Sequence, residues 1–181
     1  TAIQLALPGL CLALASGAFA QSDDCTSTVA ITGTGTTNFM TLGSFSDSDH
    51  EIGTGCDSTL ALSRFHFDGF FTWTVPAGGG DFQIDTEGST WDTQLALYSG
   101  SGCATVCLDS DDDAGVGLQS LIVQTGLTGG QQILIQIGGY QPTTGFGSGD
   151  LNITPYIDPC LGTPDDSFEQ NDTCGTASAI T

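Results

Sequence analysis

Carboxylates are the side chains in this sequence best equipped to do chemistry, and they gather in a few places. The run Asp109-Ser110-Asp111-Asp112-Asp113-Ala114-Gly115 sets acids at Asp109, Asp111 and Asp113, the alternation with which an EF-hand loop wraps calcium. The rest of that loop is missing: Ala114 stands at the glycine position and Ser120 at the closing glutamate, and no helical pattern flanks the run. Two readings stay open, a calcium site of a different, sandwich type with Asp92 nearby, or an acidic solvated turn.

Groups for catalysis are scarcer. His50-Glu51-Ile52-Gly53-Thr54 lacks the second histidine of a zinc-peptidase helix, and His66, between Phe65 and Phe67, reads as a strand position. No G-x-S-x-G elbow occurs, and no residue type singles out one aspartate of the many as a glycosidase acid with a raised pKa. The expectation is a chain with no catalytic centre of its own. Trp91, Tyr98, Tyr140 and Tyr156 fall at expected strand ends or turns, where aromatics could stack on a sugar.

The charge balance narrows the partners. Twenty-one acids face one base, Arg64, for a formal net charge of −20. Phosphate contacts need Lys or Arg, so nucleic acid is excluded as a partner, and an anionic membrane surface repels such a chain. Self-repulsion on this scale calls for salt or bound cations.

Placing these groups requires the elements around them. Residues 1–20 are small and apolar and end in Ala18-Phe19-Ala20, after which the chain turns polar at Gln21-Ser22-Asp23-Asp24. This is the pattern of a secretory signal peptide cleaved after Ala20, and it predicts an exported protein with no segment inserted in a membrane. Beyond it, apolar residues alternate with period two at Phe71, Trp73 and Val75; Phe82 and Ile84; Leu95 and Leu97; Leu121 and Val123; Ile133, Ile135 and Ile137; and Leu151 and Ile153. Such alternation predicts half-buried strands, with Trp73 in the core. Glycine-rich stretches separate them, and no segment carries helical spacing, so the fold class is all-β, a β-sandwich or jelly-roll-like arrangement.

Seven cysteines occur, and Cys11 leaves with the signal peptide. The even remainder in an exported chain reads as disulfides, for which six cysteines allow 15 pairings. The ends of the chain also repeat each other: Asp23-Asp24-Cys25-Thr26-Ser27-Thr28-Val29-Ala30-Ile31-Thr32 aligns with Asp172-Thr173-Cys174-Gly175-Thr176-Ala177-Ser178-Ala179-Ile180-Thr181. The expected organisation is a signal peptide over 1–20, a sandwich domain over 21–157, a linker over 158–167 and the truncated start of a second repeat over 168–181.

Four blocks in order carry a family resemblance: Phe70 to Gly78 (FFTWTVPAG), Ser89 to Tyr98 (STWDTQLALY), Asp111 to Gly115 (DDDAG) and Ile133 to Tyr140 (ILIQIGGY). Over about residues 25–155 the chain resembles the bacterial pre-peptidase C-terminal domains, in the cysteine-bearing variety of large exported planctomycete-type proteins, and Phe168 to Asp172 looks like the opening of another copy. The resemblance implies a small β-sandwich attached to exported peptidases and other enzymes. The chain is also similar to the collagen-binding domains of clostridial collagenases, which implies calcium at the opening segment, here Glu169, Asn171 and Asp172. Asp47 and Asp49 fall where that family supplies further carboxylates, although Ser22-Asp23-Asp24 departs from its Glu and Asn. Resemblance further implies a Cys25–Cys56 disulfide and, with the short spacing of the pair, Cys103–Cys107. Cys174 then copies Cys25, with Cys160 unassigned or paired to it. The expected function is a secreted, non-catalytic accessory or interaction module of a larger extracellular bacterial protein, working beside neighbouring domains of the same polypeptide. The alternatives are a module that binds a polysaccharide or protein fibre, and a fragment of a secreted hydrolase whose active site lies elsewhere.

Overall fold

A computed structural model describes residues 22–43, 45, 56, 65–103 and 106–158. These residues form nine strands: β1 (Val29–Thr32), β2 (Gly35–Met40), β3 (His66–Thr74), β4 (Gly80–Asp85), β5 (Thr93–Ser99), β6 (Val106–Asp111), β7 (Leu121–Leu127), β8 (Gln132–Gly139) and β9 (Ser148–Pro155). They pack as an all-β sandwich of two sheets, β1-β3-β8-β5-β6 and β2-β9-β4-β7. β1 joins β3 in parallel, and the other pairings of the described strands are antiparallel.

The inner face is built as the alternation predicts. Phe71, Trp73, Leu95, Leu97, Ile133, Ile135 and Ile137 from the first sheet meet Phe39, Phe82, Ile84, Leu151 and Ile153 from the second. Trp73 is fully buried against Phe82, ring centroids 5.0 Å apart. Its indole N–H donates to the Gly33 carbonyl at 2.7 Å, so the one polar atom of the ring is satisfied at the edge of the core. On β7 the expected face is inverted: Ile122, opposite Ile84, is the buried residue, while Leu121 and Val123 are half-buried. The register with β4 decides this, because a shift of one residue exchanges the faces of a strand.

The five-stranded sheet is covered on both sides. Phe65, Phe70, Ala96, Tyr98 and Leu134 form a second cluster on its outer face together with Cys56 and Cys107. This explains the unbroken apolar runs Phe70-Phe71, Leu95-Ala96-Leu97-Tyr98 and Ile133-Leu134-Ile135, which belong to strands buried on both faces. The four-stranded sheet instead turns a polar row outward, with Thr36 donating to Asn152, and Asn152 and Gln83 donating to Asp85.

Two disulfides close the outer face, Cys25–Cys103 and Cys56–Cys107. The expected cysteines are used, but the partners Cys25–Cys56 and Cys103–Cys107 are replaced. The reason lies in the β5–β6 hairpin. Cys107 is on β6 opposite Tyr98, with its side chain buried in the outer cluster, whereas Cys103 lies in the connecting turn. The segment around Cys25 reaches that turn because Ser22 is bridged to Phe70 and β1 runs back along β3.

Turn chemistry fits the glycines where backbones converge. Gly79 has φ +61°, and a Cβ there would lie 2.5 Å from the Leu127 carbonyl oxygen, so only glycine suits the β3–β4 turn. At the start of β3 the register with β8 shifts between His66 and Gly69, and Phe67 takes φ 52°. This bulge turns Asp68 into the protein, where it is fully buried and accepts a hydrogen bond from Gln136 at 2.7 Å.

Candidate functional site

One end of the sandwich collects the β4–β5, β6–β7 and β8–β9 connections. Trp91, just before β5, packs edge-on to Phe39 at 6.1 Å and donates its indole N–H to the Ser148 carbonyl at 3.2 Å. The Asp92 carbonyl accepts from the Tyr140 amide, and the Thr93 amide donates to the Leu118 carbonyl. Beneath them Thr86, Thr93 and Ser120 are fully buried and hydrogen-bonded to one another, Thr86 to Thr93 at 2.6 Å. The end is thus rigidly tied across both sheets.

On this frame the β5–β6 pairing brings acids together. Leu95 lies opposite Asp111, so the chain on either side places Gln94 beside Asp112 and carries Asp92 to the same end. One carboxylate oxygen from each of Asp92, Asp112 and Asp113 lies within 4.8 Å of the other two. Asp92 and Asp112 are half-buried and Asp113 is exposed. The Oδ1 atoms of Asp92 and Asp112 are shut off from solvent and have no hydrogen-bond partner.

The electrostatics follow from that crowding. Burial, then the charges of Asp113, Asp92 and Asp111, pushes the Asp112 carboxyl up to about 6, against the pull of a side-chain hydrogen bond with Gln94. Burial and then Asp113 raise Asp92 as well. No lysine or arginine occurs among the described residues to offset these charges.

The expected ligands divide. Asp113 belongs to the cluster, while Asp109 and Asp111 serve the backbone. Asp109 is on β6 and accepts from the Ser110 amide at 2.8 Å; Asp111 Oδ2 accepts from the amides of Ala114 and Leu121, both at 2.9 Å, closing the β6–β7 turn. The alternation of acids is therefore not that of a loop, because residues 109 to 111 are strand and the chain turns after them. Asp92 lies beside Asp112 and Asp113. Asp112 and Gln94 were not singled out from the sequence, and the only signal for them is the strand pairing that sets STWDTQ against the acidic run. Glu169, Asn171, Asp172, Asp47, Asp49, His50, Cys160 and Cys174, with the stretch expected as a signal peptide and all but Asp158 of the expected linker, lie outside the described residues.

Other candidates resolve as structure. His66 is half-buried on β3. Tyr98 is fully buried, donates to Gln136 Oε1 at 2.7 Å, and has its phenol pushed up by burial and then by Asp68, so it is no sugar platform. Tyr140 is exposed. Asp24, Cys25 and Cys103 approach one another, but both sulfurs are spent in the disulfide.

No family model matches the chain, and no curated protein does. Solved structures do. The pre-peptidase C-terminal domain of a collagenase from Bacillus anthracis is 11% identical over 70% of this chain and 93% of that one, with a TM-score of 0.45. Aeromonas hydrophila PliG, a periplasmic lysozyme inhibitor of g-type lysozyme, is 10% identical over 70% of this chain and 96% of that one, with a TM-score of 0.36. The chain has a distant likeness to the pre-peptidase C-terminal fold. Among the described residues no helix is long and apolar enough to cross a membrane.

Proposed function

We propose that this chain is a non-catalytic accessory module of a larger exported bacterial protein, spacing or tethering neighbouring domains of the same polypeptide outside the cell. The observation that carries the reading is the pair of disulfides that ties the segment leading into β1, and Cys56, across the outer face of the five-stranded sheet. Such cross-links persist in oxidising surroundings, and they brace the module where a preceding domain or leader would pull on it. The acidic surface, −20 in formal charge, supports the same reading because it keeps a tandem array soluble and apart.

Binding to an insoluble polysaccharide or protein fibre is the second reading, favoured by exposed Tyr140 and Phe146 at the end that also holds the acidic cluster. A hydrolase fragment is the third. A raised carboxyl beside a second carboxylate is also what a glycosidase acid needs, so hydrolysis belongs in the test. The purified chain is incubated with casein, soluble glucans, insoluble cellulose, chitin and collagen fibres. The accessory role predicts no turnover and protein that stays in the supernatant. Sedimentation with one solid that is lost in Tyr140→Ala would replace it with the second reading, and turnover of any substrate would overturn it.

A further inference from the structure

We propose that Asp92, Asp112 and Asp113, together with Gln94, form a binding site for one hard divalent cation, with calcium the ion they suit. The convergent carboxylate oxygens span no more than 4.8 Å. Two oxygens bound to calcium at about 2.4 Å lie at most ~4.8 Å apart, so all three fit around one ion.

A cluster of acids alone is often only a solvated surface, and the independent observation is Gln94. This residue is 1% exposed, its side chain is hydrogen-bonded to Asp112, and its Oε1 has no donor. A buried amide oxygen without a partner has given up its hydration for nothing in return. On Asp112, which Gln94 bonds, and on Asp92, which converges with Asp112, one buried oxygen each, Oδ1, is equally without a donor. Three buried acceptor oxygens without donors, on side chains that meet one another, are what a cation resolves and what a water, with two protons to give, satisfies only in part. All the donors are carboxylate or amide oxygens with no imidazole or thiolate among them, which selects calcium-like ions over zinc or copper. Backbone oxygens and water complete the six to eight ligands calcium takes.

The position also has a structural consequence. Asp92 precedes β5 and Asp112 and Asp113 follow β6, so a bound ion joins the two connections at the loop end. It does so without Asp109 or Asp111, whose carboxylates accept backbone amides instead.

The test is calorimetric titration of the full chain with calcium chloride, after chelator treatment and in 150 mM sodium chloride, paired with thermal melting. Parent, Asp112→Asn, Asp92→Asn, Gln94→Leu, Glu169→Ala and the exposed, charge-matched Asp23→Asn are compared. Expected are a saturable calcium heat and a rise in Tm beyond that of sodium chloride at matched ionic strength. Calcium affinity falls at least tenfold in Asp112→Asn and Asp92→Asn and less steeply in Gln94→Leu, while Glu169→Ala and Asp23→Asn keep the parent value for this site. Should one substitution at the cluster unfold the chain, the other two still decide. Equal Tm shifts in both salts, or parent-like calcium affinity in folded Asp112→Asn and Asp92→Asn, would overturn the site, and loss confined to Glu169→Ala would do the same.

Discussion

Asp111 Oδ2 accepts the backbone N–H of Leu121 at 2.9 Å, joining the last residue of β6 to the first of β7. The same oxygen accepts the Ala114 amide, so this carboxylate builds the turn that presents Asp112 and Asp113. Replacing it with alanine strips two amides of their acceptor. Asp111→Ala is expected to lose about 1–3 kcal/mol of stability, and to lose it in chelator as fully as anywhere. Urea unfolding in EDTA checks this, and a parent-like midpoint there would show that the turn does not depend on Asp111.

Asp112 gives the cation-free protein a pH dependence of definite sign. Its folded-state value of about 6 lies above the ordinary carboxyl value of about 3.9, so the native state holds a proton that the unfolded chain releases. Stability from this group is full below about pH 4 and is lost as pH rises through about 6. Asp92, Asp111 and Asp113 face it and oppose its charge. In chelator, the parent should lose stability between about pH 4 and 6 more steeply than Asp112→Asn does. Parallel pH profiles of the two would contradict the crowding.

The disulfide pairing is directly checkable. Non-reducing peptide mapping of the purified protein should link Cys25 to Cys103 and Cys56 to Cys107. The first closes a separation of 78 residues, for which the chain-entropy account gives a contribution of about 4 kcal/mol. Cys25→Ala with Cys103→Ala is expected to lose stability of that order in denaturant unfolding. A peptide joining Cys25 to Cys56 would restore the pairing that the resemblance implies.

Two cores on one sheet predict equal sensitivity of neighbouring residues. Leu134 and Ile135 point to opposite faces of β8, and both are fully buried. Leu134→Ala and Ile135→Ala should each cost about 2–5 kcal/mol. A near-neutral Leu134→Ala would mean that the outer cluster does not seal the sheet.

Local physics made part of this protein legible from its residues. Period-two alternation and glycine turns are properties of a few consecutive positions, so the all-β class, the β3, β4, β5, β8 and β9 strands and the burial of Trp73 followed from sequence. β1, β2 and β6 did not, because short or edge strands with mixed polarity such as Gly35-Thr36-Thr37-Asn38-Phe39-Met40 lack a clean alternation. The excess of acid and the even set of cysteines were equally plain in composition.

What only the tertiary structure decided was which distant residues meet. Sequence spacing favoured Cys103 with Cys107, but the hairpin leaves one in its turn and buries the other on the sheet's outer face. Sequence alternation favoured Asp109, Asp111 and Asp113, yet β6 ends at Asp111 and spends that side chain on Leu121. Its register with β5 then brings Asp112 to Gln94 and Asp92. Composition determines that there will be carboxylates to neutralise and sulfurs to join; strand order and register, set by burial summed over both sheets, determine which ones stand within reach of each other.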